Sequence, residues 1–399
     1  MDSSRTGTSN HDPSVTSMIG GGTPPTTGSS TPTTTSSPYS PTSFAPLLKK
    51  LVLTPSSFSL QDCQLAFQHL ALPSGADPSQ IGAFLSALRL TGLDGKPEIV
   101  ATCAGVMREH ALKLEIEQGE GLGPVCDIVG TGGDGHNTFN VSTTAGIVAS
   151  GAGARVFKHG NKAATSSSGS ADILLSLECP VTTLPPSSIS SLSRSSSFLF
   201  LFAPLYHPAM VHLAPIRKLL AFPTVFNALG PLINPIQPKR LIVGVHSEYL
   251  GPVFAEALRL GGVEKAWVVC GKEGLDEISI AGETNVWEVT PSSIRQFTVS
   301  PSTFGLSSHP LSSVTGGTPA ENSQLLISLL SGQLSTEDPV ENFVVLNAAA
   351  LLLVSGVVKD EREGVSAARK SIREGGALRS LEEFRRVSQE AVRGIELKQ

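Results

Sequence analysis

Apolar positions recur with two different periods along the chain, and the period changes near residue 119. Between residues 46 and 119 the spacing is helical, and the apolar segments are separated by turn signals such as Pro73-Ser-Gly75. This pattern predicts helices at 44–51, 61–70, 80–90 and 96–114. We therefore expect a small all-helical domain over residues 46–119.

After residue 119, short β-rich runs alternate with longer helical segments. Strands separated by helix-length connections are typical of βαβ units and a mainly parallel sheet. We expect an α/β fold in which a larger domain, residues 120–399, has a central, mainly parallel sheet flanked by helices. A helical segment near 203–221 would join the small domain. The predicted strands lie at 125–129, 154–158, 240–245, 265–270 and 285–289, and the predicted helices at 141–150, 249–260, 321–330, 339–355 and 364–373.

Residues 1–45 follow neither period. They are Ser, Thr, Pro and Gly with almost nothing to bury, so ordering them would cost backbone entropy without a compensating gain. We expect a disordered tail. The serine-rich stretch at 187–197 has the spacing of a short amphipathic helix, although its composition is that of a loop.

Charge and cysteine usage narrow the possible classes of protein. A formal net charge of -5 gives no electrostatic footprint for nucleic acid. The 5 cysteines occur singly, a pattern that fits reduced thiols and neither a zinc ribbon nor a thioredoxin-like pair. No apolar stretch reaches the roughly 18 residues of a membrane span, and the N-terminus lacks a secretory or transit pattern. We expect a soluble cytoplasmic protein with no nucleic-acid or membrane partner.

The strongest candidate for a ligand site is a glycine-rich turn between the first predicted strand and the next helix. Gly130, Gly132 and Gly135 match the dinucleotide pattern by letter, and glycines before a helix N-terminus favour a phosphate. A dinucleotide site also needs an acid about 20 residues further on, yet no Asp or Glu occurs between Asp134 and Asp172. The turn alone is therefore either a phosphate site of another kind or an ordinary tight turn.

The end of the second predicted strand adds cations and hydroxyl groups beside this turn. Lys158 and Lys162 lie where open α/β sheets bind ligands, and Ser166 and Ser170 follow them. Lys158 can pair with a phosphate, and the serine hydroxyls can donate to its oxygens. His159 is as compatible with a hydrogen-bonded structural histidine as with a role beside the substrate.

An ordered set of motifs in the chain resembles the anthranilate phosphoribosyltransferases, enzymes of tryptophan biosynthesis that join anthranilate to 5-phosphoribosyl 1-pyrophosphate (PRPP). The resemblance covers residues 47 to about 391 and implies the nucleoside phosphorylase-like fold of the class III phosphoribosyltransferases. Its motifs are Gly130-Thr-Gly-Gly-Asp134, Asn140-Val-Ser-Thr143, Lys158-His-Gly-Asn161, Phe202-Ala-Pro-Leu-Tyr-His-Pro-Ala-Met210, Pro215-Ile-Arg217, Phe226-Asn-Ala-Leu-Gly-Pro-Leu-Ile-Asn-Pro235 and Gly274-Leu-Asp-Glu-Ile-Ser279.

The resemblance implies a reaction and a set of site residues. The phosphoribosyl group would pass from PRPP to the amine of anthranilate, pyrophosphate would leave, and the chain would be a homodimer through its helical domain. Two Mg²⁺ ions are implied, one held by Ser142 and Glu277 and the other by Asp276 and Glu277. The implied PRPP residues are Gly130, Gly133, Asp134, Thr138, Asn140, Val141, Ser142, Thr143, Lys158, His159, Gly160, Asn161, Lys162, Ser166 and Ser170, and the implied anthranilate residues are Gly130, Asn161, His207 and Arg217.

The implied chemistry is displacement at C1 of the ribose, which needs positioning more than a strong base because the aryl amine is neutral at pH 7. No covalent nucleophile is required, and His159 is the one candidate for accepting a proton. Hinges near Gly119 and Pro204 would let the two domains close over the substrates.

Four positions depart from the family pattern. Lys162 and Pro223 stand where Arg is common, Ser167 where a basic residue is usual, and Val211 where Lys is usual. These changes affect the expected phosphate affinity and the charge of the acceptor channel. Two other functions stay open: a pyrimidine nucleoside phosphorylase-like enzyme, and a non-catalytic nucleic-acid-binding relative. The acidic pair Asp276 and Glu277 argues against the first, and the negative net charge against the second.

Overall fold

A computed structural model describes residues 38–116, 123–163 and 166–396. Most of the predicted disordered tail, residues 1–37, lies outside the described residues. The prediction is wrong for residues 41–45, because the first helix begins at Pro41. The Ser40 hydroxyl accepts the Ser43 N–H at 3.2 Å, and Phe44 is fully buried. A cap and an early apolar anchor therefore start the helix inside a serine- and proline-rich stretch.

The described part of the N-terminal region contains four α-helices. They are α1 (Pro41–Leu53), α2 (Leu60–Leu70), α3 (Pro78–Leu90) and α4 (Pro97–Glu109). The predicted helix at 96–114 therefore ends early. Beyond it the chain turns away, and the Leu112 N–H donates to the carbonyl of Tyr206 at 2.8 Å. The predicted domain boundary and hinge at residue 119 lie outside the described residues, so the division into domains 46–119 and 120–399 stays a prediction.

The described residues contain a seven-stranded sheet in the order β3-β2-β1-β4-β5-β6-β7. The first five strands along this order pair in parallel. β6 pairs antiparallel with β5, and β7 pairs antiparallel with β6. The expected mainly parallel sheet is therefore confirmed. The strands are β1 (Val125–Gly130), β2 (Arg155–Gly160), β3 (Phe198–Phe202), β4 (Arg240–Gly244), β5 (Lys265–Gly271), β6 (Thr284–Val289) and β7 (Ile294–Val299).

Helices cover both faces of this sheet. They are α5 (Val141–Gly151), α6 (Ser170–Ser176), α7 (Ile189–Ser195), α8 (Ala203–Tyr206), α9 (Pro208–Leu220), α10 (Val225–Leu229), α11 (Leu250–Leu260), α12 (Pro319–Leu330), α13 (Pro339–Ser355), α14 (Glu361–Arg373) and α15 (Gly376–Glu396). The serine-rich stretch thus contains the short helix α7. None of the helices in the described ranges is long and apolar enough to cross a membrane.

Two hydrophobic cores lie on opposite faces of the sheet, because successive strand residues point to opposite sides. Ile242 and Trp267 belong to the core beneath α5 and α13. Leu241 and Ala266 belong to the core shared with α1–α4, α9 and α11. The ring of Phe67 on α2 lies 5.5 Å from that of Phe226 on α10. The N-terminal helices therefore pack on one face of the sheet.

Candidate active site

The glycine-rich turn starts where two strands end side by side. Gly130, the last residue of β1, pairs with Gly244, the last residue of β4, and the segment carrying Asp276 crosses directly over both. A Cβ atom at Gly130 would lie 2.3 Å from Asp276 Oδ2, and one at Gly244 would lie 1.6 Å from the Asp276 carbonyl oxygen. Only glycine allows this approach. The Gly132 N–H then donates to Asp276 Oδ2 at 2.6 Å.

The turn itself has a backbone that favours glycine. Gly132, Gly133 and Gly135 have φ values of 69°, 79° and 76°. The chain then enters α5, whose first residue, Val141, is buried, as is Thr143. The N-terminus of α5 therefore faces the turn and is a favourable place for a phosphate, with Val141 and Thr143 offering mainly their backbone N–H groups.

A segment distant in sequence, for which no role was predicted, holds the turn in place. The Gly316 N–H donates to the carbonyl of Asn137 at 2.7 Å, and the Phe139 N–H donates to that of Val314 at 2.8 Å. Thr138 forms an isolated β-bridge in the same stretch. The only available signal was the glycine pair at 316–317 just before α12.

Lys158 is buried between the turn and the acidic pair. Its ammonium group donates to the carbonyl of Ile128 and to Ser142 Oγ, the latter at 3.1 Å. Burial lowers the pKa of Lys158, while Asp127, Glu277 and Asp276 oppose that shift. The structure thus brings Lys158 and Ser142, predicted from separate motifs, together with the predicted carboxylates.

Asp276 and Glu277 follow β5 and are half-buried at the carboxyl edge of the sheet. Burial and the nearby carboxylate of Asp134 raise the pKa of Asp276 to about 7. Burial and the carboxylate of Asp276 raise the pKa of Glu277 to about 8. Crowded carboxylates of this kind are stabilised by a cation. Within the described ranges no three His, Cys, Asp or Glu side chains are arranged to hold a metal alone, so a cation here would need ligands from a substrate or water.

The described part of the loop after β2 carries several predicted PRPP residues. The carbonyl of Asn161 accepts the Ser170 hydroxyl at 3.1 Å. Asp172 Oδ2 accepts the N–H groups of Ala163 at 2.8 Å and Gly169 at 3.0 Å. The loop can return this close to the end of β2 because residue 160 is a glycine. A Cβ atom at Gly160 would lie 2.5 Å from Ser170 Oγ. Lys162 and Ser166 are exposed on the same loop.

Asn140 is fixed by neighbours on both sides of its amide. Its Nδ2 donates to the carbonyl of Ser168 at 2.8 Å, and its Oδ1 accepts from Asn322 Nδ2 at 2.8 Å. Ser167, one of the departures from the family pattern, donates to Asn137 Oδ1 and to the carbonyl of Gly317, each at 2.8 Å. These neutral bonds tie the glycine turn to the loop after β2. Asn322, which lies on α12 and belongs to none of the predicted motifs, is therefore an additional residue of the site.

Two predicted histidines face each other at the end of β2. The ring centroids of His159 and His207 are 5.1 Å apart, and His159 Nδ1 lies 3.3 Å from the carbonyl oxygen of Gly230. Burial lowers the pKa of His159 to about 3, with a further contribution from His207, and burial lowers the pKa of His207 to about 4. Both imidazoles are therefore neutral at pH 7. His159 Nε2 makes no hydrogen bond to any of the described residues.

Arg217 lies near the C-terminal end of α9, about 15 Å along the helix axis from His207, which immediately precedes the helix. Its guanidinium group lies 5.2 Å from the ring centroid of Phe226, and burial lowers its pKa. The side chain lines an open hollow that also includes Pro223 and Asn227. The predicted anthranilate residues therefore extend along α9, with the histidine pair at one end and Arg217 at the other.

Comparison with known families agrees with this architecture. Residues 45–111 match the helical bundle domain of a glycosyl transferase family, and residues 122–378 match the a/b domain of that family. The two matches follow each other in the order of the helices and the sheet. By class, the fold and site are those of a glycosyl transferase.

Individual relatives narrow the class. Anthranilate phosphoribosyltransferase of Schizosaccharomyces pombe is 47% identical and spans 80% of this chain and 90% of its own. That of Saccharomyces cerevisiae is 40% identical over 84% of this chain and 96% of its own. The structure of the Saccharomyces cerevisiae enzyme in complex with PRPP and Mg matches with a TM-score of 0.82 and 38% identity, covering 88% of this chain and 99% of that one. The chain belongs to the anthranilate phosphoribosyltransferase family.

Proposed function

We propose that this protein transfers the phosphoribosyl group of PRPP to the amine of anthranilate, giving N-(5-phosphoribosyl)anthranilate and pyrophosphate in tryptophan biosynthesis. One observation carries the proposal: the glycine turn, the buried Lys158 and the pair Asp276 and Glu277 meet at one edge of the sheet. Relatives at 40–47% identity bear the name of this activity.

The carboxylate cluster suits Mg²⁺. Asp276, Glu277 and Ser142 would hold it, and we propose two ions that share Glu277. The raised pKa values of Asp276 and Glu277 support this assignment, because a divalent cation stabilises the ionised carboxylates that burial and mutual repulsion disfavour. Bound Mg²⁺ supplies charge neutralisation for the pyrophosphate.

The rest of the PRPP site consists of N–H donors and one buried cation. The glycine turn and the N-terminus of α5 present backbone N–H groups, and Lys158 adds a positive charge beside Ser142. Asn140, held by its neighbours on both sides, would orient the turn toward the ribose and phosphate groups. The exposed residues Lys162 and Ser166 would act at the outer side of the ligand.

In the acceptor site the residues position anthranilate rather than activate its amine. The bond from C1 to the pyrophosphate oxygen breaks while the bond from C1 to the amine nitrogen forms, and the amine then loses a proton. The neutral His159, whose Nε2 is free among the described residues, would accept that proton. Arg217 would bind the anthranilate carboxylate, with Asn161 and the backbone of Gly130 closer to the amine.

We also propose a homodimer formed through the helical region. Leu53 on α1 and Leu90 on α3 are 65% and 87% exposed, so the helical region offers apolar side chains that a second copy would cover. Sedimentation at micromolar concentration tests this, and a monomer would contradict it. The free, buried state of all five cysteines supports a reducing compartment such as the cytoplasm.

The proposed reaction is tested by following the loss of anthranilate fluorescence with PRPP and Mg²⁺. The wild type should consume anthranilate, and the double variant Asp276→Asn, Glu277→Gln should lose at least about 100-fold in kcat/KM. Glu288→Gln is the matched control: it removes a carboxylate on β6, where Glu288 bonds to Trp267 and Arg295, and it should retain activity. Folded wild-type protein that consumes no anthranilate at any Mg²⁺ concentration would contradict the proposal.

A further inference from the structure

The hydrogen-bond ladder between β1 and β2 stops well before the site. The last paired residues of these two strands are Cys126 and Val156. On their other sides, β1 stays paired with β4 as far as Gly130, and β2 with β3 as far as Gly160. The sheet is therefore open between β1 and β2 along the half that leads to the substrates.

Side chains replace the missing ladder in this gap. Asn234 Nδ2 donates to Asp127 Oδ2 at 2.9 Å and to the carbonyl oxygen of Phe157 at 3.0 Å. The backbone N–H of His159 donates to the same Asp127 oxygen at 3.4 Å. One carboxylate and one amide thus bridge β1 to β2, and the amide comes from a segment distant in sequence.

Burying this polar bridge in the protein interior costs free energy. Asp127 is 1% and Asn234 3% exposed, and Asp127 Oδ1 has no hydrogen-bond partner among the described residues. Burial raises the pKa of Asp127, although the Lys158 cation and the bond from Asn234 counteract the shift. Because an apolar pair of similar volume would fill a strand interior at lower cost, stability alone does not account for these residues.

The bridge lies directly beneath the residues that matter for the reaction. Lys158 and His159 belong to the half of β2 that pairs with β3 but not with β1, and Lys158 also reaches across the gap to the carbonyl of Ile128 on β1. A change in the distance between the two strand ends would move the lysine and the histidine together. Displacements of about 1 Å at such positions reduce catalysis about 100-fold.

We propose that Asp127 and Asn234 act as one positioning pair, which holds the ends of β1 and β2 at the separation that Lys158 and His159 require. The inference rests on the proposed function for its catalytic consequence. Both side chains are almost fully buried, so we assign both as positioning residues rather than catalytic ones.

A double-mutant cycle tests the pair. Asp127→Ala and Asn234→Ala should each reduce kcat/KM for PRPP at least tenfold. Because each change removes the same bridge, kcat/KM of the double variant should be within about threefold of that of the less active single variant. Asp127→Asn keeps an oxygen that accepts both bonds and should restore kcat/KM to within about fivefold of wild type. Ser380→Ala, which removes a buried hydroxyl bonded to Ser150 at 2.8 Å, is the control and should leave kcat/KM unchanged.

A measurement without ligand separates this proposal from the proposed function. Hydrogen exchange of the peptide spanning 155–160 should be at least tenfold faster in Asp127→Ala than in wild type, and unchanged in Ser380→Ala. Should the alanine variants fail to fold, Asp127→Asn and Asn234→Ser are compared in the same way, and only Asn234→Ser should exchange faster. The proposal of a positioning pair would be overturned if the two losses of kcat/KM multiply in the double variant. It would also be overturned if hydrogen exchange of the peptide 155–160 is unchanged in the variants. A wild type without transferase activity would overturn the proposed function, while the exchange measurement would still decide the pair.

Discussion

Gly244→Ala is the substitution that most directly tests how the acidic pair is positioned. The added Cβ atom would lie 1.6 Å from the carbonyl oxygen of Asp276. Since unstrained contacts of carbon with other heavy atoms are about 3.5 Å, the segment carrying Asp276 and Glu277 must move by about 2 Å. The colliding atom belongs to the backbone, so rotation of a side chain cannot relieve the clash.

The expected loss follows from that displacement. Misplacing catalytic groups by about 1 Å costs about 100-fold, so we expect kcat/KM to fall by at least that factor and the Mg²⁺ requirement to rise. Overpacking should also lower the free energy of unfolding by about 1–3 kcal/mol. Both are measured with the anthranilate fluorescence assay and thermal unfolding. Gly95→Ala, where a Cβ atom meets nothing within 4 Å, is the control. A Gly244→Ala variant with wild-type kcat/KM would show that the close approach of Gly244 to Asp276 does not position the acidic pair.

Three further predictions concern charge at the site. Glu277→Gln should raise the Mg²⁺ concentration for half-maximal activity at least tenfold, and an unchanged Mg²⁺ titration would argue against Glu277 as a ligand. The pKa values of Asp276 and Glu277, about 7 and about 8 against 3.8 and 4.5 ordinarily, mean that the folded state binds more protons than the unfolded state between these limits. Without Mg²⁺ the unfolding temperature should therefore fall as the pH rises from about 4.5 to about 8, Mg²⁺ should restore it at the upper end of this range, and Asp276→Asn, Glu277→Gln should remove the effect. Because burial lowers the pKa of His159 to about 3 and that of His207 to about 4, their NMR resonances should not titrate between about pH 5.5 and 7.5; midpoints near 6.5 would contradict the neutral pair.

Periodicity was sufficient for the parallel sheet and for most helices, but not for every element. β3 (Phe198–Phe202) is apolar at every position, and such a short run does not distinguish a buried strand from a helix. β7 (Ile294–Val299) is mostly exposed and has little alternation of apolar and polar residues. α4 ended before its predicted limit because Leu112 bonds to Tyr206, a contact that no local pattern contains.

In the candidate site, too, some features were predicted from the sequence and others were not. Lys158, Ser142, Asp276 and Glu277 were found by motif, and the structure adds their proximity and their shared charge. Contacts between distant segments were not predictable from local sequence. An acid inside the apolar run at 125–129 was a visible signal for Asp127, but its partner Asn234 could be identified only once the sheet had brought the two together.

Product analysis by mass spectrometry tests the proposed reaction itself. Purified protein is incubated with PRPP, anthranilate and Mg²⁺, and in parallel with phosphate and a pyrimidine nucleoside. The proposed function predicts N-(5-phosphoribosyl)anthranilate and pyrophosphate in equal amounts in the first reaction, and no free nucleobase in the second. Nucleoside cleavage without phosphoribosylated anthranilate would contradict it.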